Sequence, residues 1–256
     1  MDIVGTGFLA SHLRPYFGDR HPEVTVIAAG VSSAGSTEGA AFDREAKLVY
    51  QVLRRCREQG RTVVFFSTAS TGMYAGRECP GSEEGPVFPR TPYGRHKLGL
   101  ERVCALSGAR YLVLRLGYVV GAGAPLDQLL PALARQVRSG LVTVFRGAAR
   151  DLLDVRYLML VLDRLLTIGV ADEVVNVATG APLGIEELLA ALYRRLGTSP
   201  ECRYVTQDLD PVVVDTAKLR RLVPEFAELD FGPAYLERLL DHVDSPHGVT
   251  GTITRR

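Results

Sequence analysis

The 256-residue sequence has no tryptophan, four cysteines and three lysines, and each scarcity excludes something. Cys56, Cys79, Cys104 and Cys202 lie far apart with no Cys-x-x-Cys pair, which argues against a disulfide framework or a zinc ribbon. The histidines at 12, 21, 96, 242 and 247 are scattered, so no metal site is expected. No apolar run reaches the ~18 residues of a membrane span, and the first residues lack the charged and apolar regions of a signal peptide. A net charge of +1 carries no basic surplus of the kind that nucleic acid or an anionic membrane requires. There is no G-x-S-x-G elbow for a serine hydrolase. The expected setting is the cytoplasm, and the expected partner is a small molecule. Arginine supplies 27 of the 30 basic residues, the mark of GC-rich coding, so the positions of Lys47, Lys97 and Lys218 carry more information than usual.

With 46% hydrophobic residues, the chain is long enough for one large domain or two closely joined ones. Short apolar runs alternate with helical patterns. Asp2–Val4, Val24–Ala29, Val63–Phe66 and Tyr111–Leu116 read as buried strands. Helices are expected over Phe8–Phe17, Arg44–Glu58 and, after the Thr91-Pro92 start signal, to about Leu106. Near-continuous apolar strands separated by helices predict an α/β fold with a parallel sheet covered on both faces. Beyond Gly123 the spacing predicts helices over Pro125–Arg138, Tyr157–Ile168, Ile185–Leu196, Thr216–Leu222 and Pro233–His242. Strands are expected at Val142–Phe145, Val174–Val177 and Arg203–Thr206. Gly76–Pro92 reads as a long surface loop before a helix, a common place for a lid, and Ser245–Arg256 as a frayed tail.

Two segments carry chemistry. Gly5-Thr6-Gly7-Phe8-Leu9-Ala10 is a GxGxxA between a strand and a helix. There the first glycine makes the turn, the second admits a pyrophosphate to the helix N-terminus, and the third small residue lets helix and strand approach. A ribose-reading acid should follow about 20 residues on. The next strand instead ends Ala28-Ala29-Gly30, and Glu23 stands at its wrong end. The second segment, Tyr93-Gly94-Arg95-His96-Lys97, puts a phenol and an ammonium four residues apart on one helix face. The ammonium is expected to lower the phenol's pKa and make Tyr93 a proton donor or acceptor. His96 is expected to face solvent or line the substrate site. Upstream, Ser67-Thr68-Ala69-Ser70-Thr71 places hydroxyls at a strand's carboxyl end. One of them could bond a substrate carbonyl while Tyr93 passes it a proton.

Taken in order, GTGFLA, VIAAG, FFSTAS, YGRHK, RLGYVVG, FRGAARDLLDVRYL, NVATGAPLGIEELL and the Asp215-Thr216-Ala217-Lys218 helix start resemble the extended short-chain dehydrogenase/reductase family. This is the group of NAD-dependent sugar-nucleotide epimerases, dehydratases and reductases, and the resemblance runs from Met1 to His242. It implies a Rossmann-like, doubly wound parallel sheet with a smaller C-terminal substrate domain. The nucleotide-binding part would comprise 1–123 and about 151–178, and the substrate part about 124–150 and 179–244. The resemblance makes Tyr93 the acid/base residue and Lys97 the residue that binds the nicotinamide ribose. It makes Thr68 the catalytic hydroxyl, with Ser70 as the alternative. NAD or NADP would contact Gly5, Gly7, Phe8, Leu9 and Ala10, with Ala28, Ala29 and Gly30 on its far side. Arg150 and Tyr118 would meet the substrate, a nucleotide sugar, and a homodimer through the helices at 44–58 and 92–106 is implied.

The chain departs from the family in three respects. The family's second and third strands are missing, Tyr118 replaces a customary Asn, and Ala69-Ser70 replaces the Asp-Glu pair that dehydratases carry after their threonine. The reading that follows is reduction of a keto group on a nucleotide-linked sugar. An epimerase with retained cofactor and a non-catalytic scaffold or sensor are the alternatives.

Overall fold

A computed structural model of the chain describes residues 1–32, 35–70, 72–75, 79–206 and 212–244. The first half runs β1 (Asp2–Val4), α1 (Phe8–Phe17), β2 (Val24–Ile27), α2 (Gly39–Glu58), β3 (Thr62–Thr68), α3 (Pro92–Leu106) and β4 (Tyr111–Leu116). Then follow β5 (Tyr118–Val120), α4 (Leu129–Ser139), β6 (Leu141–Phe145), β7 (Ala149–Arg150), β8 (Leu152–Asp154) and α5 (Val155–Thr167). The remainder is β9 (Glu173–Val177), β10 (Leu183–Gly184), α6 (Ile185–Leu196), β11 (Glu201–Val205), α7 (Ala217–Leu222), α8 (Pro224–Ala227) and α9 (Pro233–Asp244). The expected tail lies outside the described residues. Among those residues no helix is long and apolar enough to cross a membrane, no group of side chains has the composition of a metal site, and all four cysteines are free thiols.

Five strands form one parallel sheet in the order β1-β2-β3-β4-β9. Side-chain alternation divides the packing cleanly. Val26, Val64, Leu112, Leu114 and Val175 join Leu13 and Phe17 of α1 and Leu158, Leu162 and Leu165 of α5 on one face. Ile27, Val63, Phe65 and Val113 meet Val49, Val52 and Cys56 of α2 and Leu100 and Cys104 of α3 on the other. Burial on both faces explains why these strands read as unbroken apolar runs.

The strand order places β1, which carries the glycine loop, at the edge of the sheet. It also has a consequence for handedness. The connections β1–α1–β2 and β2–α2–β3 step in the same direction across the sheet, yet they pass over opposite faces, so they have opposite hands. The connection β3–α3–β4 shares face and hand with the second. Twisted strands favour right-handed crossovers by a wide margin, which assigns the shared hand to that pair and makes β1–α1–β2 the left-handed exception. The short return at residues 18–23 is pinned at both sides. His21 adopts a positive φ of 52° and bonds Asp163 at 2.8 Å, and the N-terminal ammonium donates to the Arg20 carbonyl at 2.7 Å. Arg14 lies along the open edge of β1 and donates to the Gly5 carbonyl at 2.5 Å.

A second core gathers α4, the parallel pair β6 and β11, α6 and α9 around Leu133, Val137, Val142, Val144, Leu188, Leu192, Leu239 and Leu240. It joins the sheet through Asp154, which ends β8 and caps α5, its carboxylate accepting from the Arg156 amide at 2.8 Å. The side chain is fully buried, ion-paired to Arg156 at 2.5 Å and bonded by His242 of α9 at 3.1 Å. Burial alone would raise its pKa, but these hydrogen bonds outweigh it and hold the carboxyl at about 2. An unfolded aspartate titrates near ~3.9. The bonded carboxylate therefore contributes stability above that pH and loses it as pH falls towards about 2, a contribution of roughly 2 kcal/mol at neutral pH. The stability difference between wild type and Asp154→Asn in urea titrations is expected to shrink steadily from pH 5 to pH 2. A difference that does not depend on pH would contradict this assignment.

Candidate active site

A cavity of about 1280 Å³ opens at the carboxyl ends of β1–β4 and extends to the second core. That exceeds the ~300–1,000 Å³ of a pocket for one small ligand and gives room for two side by side.

One end is built from the glycine loop. Gly5 has a φ of 127°, and a Cβ there would overlap the Ala28 carbonyl, so only glycine permits β1 and β2 to end this close together. Gly7 caps α1 without any side-chain hydrogen bond, a Cβ there would meet nothing within 4 Å, and no acid stands in the first turn. The free amides at this helix end face an open cradle suited to an anion. Gly5, Gly7, Phe8, Leu9, Ala28, Ala29 and Gly30 all line the cavity. Ala10 does not; it is fully buried against the sheet, which is the packing duty of the third small residue.

The middle of the cavity holds Thr68, Ser70, Tyr93 and Lys97, all buried and all lining it. Thr68 ends β3, and its Oγ1 donates to Ser70 Oγ at 2.9 Å. Ser70 Oγ also accepts from the Gly72 amide at 3.2 Å and Thr68 Oγ1 from the Ser70 amide at 3.1 Å, so both hydroxyls are held in the turn that faces Tyr93. Tyr93 and Lys97 enter from the first turns of α3, which Thr91 starts by accepting from the Gly94 amide at 3.0 Å.

The environment of Tyr93 overturns one expectation. Its pKa lies above the usual phenol value, not below it. Burial is the main cause and the Glu45 carboxylate the second; only the Thr68 hydroxyl pulls the other way. Lys97 does not supply the expected pull because its charge is paired with Glu45. Its Nζ donates to Glu45 Oε1 at 2.7 Å and to the Phe66 carbonyl at 3.3 Å. Burial holds the Lys97 ammonium below its ordinary pKa, with Glu45 offsetting part of that. His96 is a second correction. It neither lines the cavity nor stands free in solvent; it bonds Glu45 Oε2 at 2.9 Å and stacks on Phe42.

Glu45 itself escaped the sequence reading. The one available signal was its place in the buried stripe Glu45, Val49, Val52, Cys56 of α2, where an acid interrupts core-facing positions.

The far end is lined by Tyr118, Arg135, Arg138, Arg150 and His242, with Asp127 the acid among the described lining residues. The Arg150 guanidinium stacks over the Tyr118 ring at 5.7 Å. The loop expected to act as a lid is placed differently. Residues 76–78 lie outside the described residues, and none of residues 79–92 lines the cavity. Asn176 of β9 binds that loop, its Nδ2 donating to Gly81 O at 2.9 Å and its amide to Glu83 at 2.7 Å.

A model of the NAD dependent epimerase/dehydratase family matches residues 5–178. No curated protein matches the sequence. Among solved structures, RMD from Pseudomonas aeruginosa complexed with NADPH superposes with a TM-score of 0.74 at 23% identity, over 95% of this chain and 99% of that one. MoeE5 in complex with UDP-glucose and NAD gives a TM-score of 0.79 at 20% identity, over 94% and 98%. The dTDP-glucose 4,6-dehydratase of Bacillus anthracis, in complex with NAD, gives 0.72 at 18%, over 92% and 74%. At these identities the likeness is one of fold: an α/β protein with a Rossmann-type parallel sheet.

Proposed function

We propose a function from one premise: this chain belongs to the NAD-dependent epimerase/dehydratase family. It acts as an NAD(P)-dependent reductase of a keto group carried by a nucleotide-linked sugar. The observation that carries the reading is the convergence of Thr68, Tyr93 and Lys97 on one cavity whose end is the open cradle of Gly5, Gly7 and the α1 N-terminus.

The residues present fit a dinucleotide. The amides after Gly7 would hold its pyrophosphate, and the Ala28-Ala29-Gly30 turn would lie beside the rest. An ammonium has three N–H bonds, and Lys97 has two engaged with protein, which leaves one for a hydroxyl of the bound ligand. When bound, the dinucleotide supplies the hydride to the carbonyl carbon. Tyr93, held as a neutral phenol, gives its proton to the carbonyl oxygen, and Thr68 bonds that oxygen as charge develops on it. The arginines 135, 138 and 150 are the groups to receive the phosphates of an anionic substrate. In this reading residues 1–123 and 151–178 hold the dinucleotide and the segments 124–150 and 179–244 hold the substrate.

Dehydration is disfavoured by Ala69 and Ser70, which offer no acid beside Thr68. The position of β1 at the sheet edge favours exchange of the cofactor over permanent retention, because among the described residues no further strand covers the adenosine side.

Titration with NADH and NADPH, followed by nicotinamide fluorescence, is expected to give saturable binding that Lys97→Ala weakens at least about tenfold. Keto-sugar nucleotides should then oxidise the bound cofactor. No binding of either dinucleotide up to the millimolar range would leave the scaffold reading instead. A dinucleotide released on denaturing the purified protein would favour the epimerase.

A further inference from the structure

Glu45 has no part in the chemistry just described, yet it is among the most buried charged groups of the chain, 2% exposed. It reaches from α2 under the loop that follows β2, so close to Gly30 that a Cβ there would overlap its carboxylate. Every oxygen is engaged. Oε1 accepts from Lys97 Nζ at 2.7 Å, and Oε2 accepts from the Val31 amide at 3.1 Å and meets His96 Nε2 at 2.9 Å. A single carboxylate thus binds the cavity's lysine, the loop after β2 that lines the glycine-loop end of the cavity and the helix that carries Tyr93.

A lysine buried this deeply, 4% exposed and with its Nζ 5.1 Å from the Phe65 ring, is poorly solvated and depends on nearby anions to hold its charge. The groups facing it are Glu45 from α2, the Phe66 carbonyl from β3, and Tyr93 and Glu101 from α3. Glu101 is committed to Arg115 of β4, which it binds through both oxygens, and to Ser67. Glu45 is therefore the anion left to serve Lys97.

We propose that Glu45 is a positioning residue of this site, the counter-ion that keeps Lys97 protonated and fixed while tying it to the loop at Gly30–Val31. The proposal rests on the dinucleotide reading only for its use: a charged, immobile ammonium presenting its remaining N–H to the ligand.

Lysine scarcity makes the test direct. With three lysines in the chain, the side-chain ammonium groups give three nitrogen resonances, assignable with Lys47→Arg and Lys218→Arg. In the ligand-free wild type, Lys97 is expected as an ammonium at pH 7, with N–H protons that exchange with water more slowly than those of Lys47. In Glu45→Gln it should lose its proton at a pH lower by about one unit or more, and Glu45→Asp should restore most of the difference. NADH binding by Glu45→Gln should weaken as pH rises through that lowered value, about tenfold per unit.

A Lys97 signal that titrates in Glu45→Gln as in wild type would overturn the proposal. So would a neutral Lys97 amine in the wild type at pH 7, an observation that requires no variant to fold. The lysine titration is independent of cofactor. If the wild type binds neither dinucleotide, the reductase reading fails while the resonances still decide the role of Glu45. If NADH binds but the resonances do not respond, the Glu45 proposal fails alone.

Discussion

Tyr93→Phe is expected to lower turnover of a keto substrate by roughly 10²–10⁴-fold while dinucleotide binding stays within about twofold of wild type. The substitution removes one oxygen from a buried ring and leaves α3 unchanged, and Thr68 retains its bond to Ser70. Burial and the neighbouring Glu45 keep the Tyr93 phenol protonated above its ordinary pKa. The direction of the effect on pH dependence follows. Reduction, which consumes the phenol's proton, should be insensitive to that group across neutral and moderately alkaline pH. Alcohol oxidation needs the phenolate and should rise with pH throughout the same range. Steady-state assays in both directions check this. A variant keeping more than a tenth of wild-type turnover would move the acid role away from Tyr93.

Removing Glu101 is the substitution expected to cost the most stability, about 3–5 kcal/mol for Glu101→Ala. Glu101 and Arg115 are 4% and 5% exposed, joined by bonds of 2.7–3.2 Å, and their ends are occupied by Ser67 at 2.5 Å and Tyr74 at 2.8 Å. Tyr74 passes the network to Asn176 of β9 at 2.7 Å. The alanine variant leaves an arginine buried without an anion, so the loss is the cost of an uncompensated charge and not the net worth of the pair. Glu101→Leu with Arg115→Met, apolar replacements of similar size, should recover most of it. Urea unfolding followed by circular dichroism decides the matter. A loss below about 1 kcal/mol in Glu101→Ala would mean that water reaches the arginine.

Much of the architecture was legible because its signals are local. Val63–Phe66 and Tyr111–Leu116 read as buried strands because both sheet faces are covered, and Thr91-Pro92 announced α3 because the cap and proline act within one turn. The two- and three-residue strands β7, β8 and β10 left no pattern because no periodicity exists at that length, whereas β1, equally short, was legible through the glycine loop that follows it. The onset of α2 at Gly39 instead of Arg44 passed unseen because Gly39, Ala40 and Ala41 carry little hydrophobic contrast. Tyr93 and Lys97 were found through their four-residue spacing. Glu45 was missed because its partners lie 51 and 52 residues away, and an acid on a helix ordinarily faces water.

By itself the sequence determined the longer strands and helices, which glycine had to make the first loop, and which phenol and lysine share a helix face. These depend on neighbours within about a dozen positions along the chain. The tertiary structure alone decided that β1 would stand at the sheet edge, that its connection to β2 would run left-handed, and that Lys97 would be paired with a buried acid. Each of these is set by contact between segments remote in sequence. A phenol that a neighbouring ammonium would acidify in solvent has its pKa raised here, because burial and the carboxylate paired with that ammonium both disfavour the phenolate.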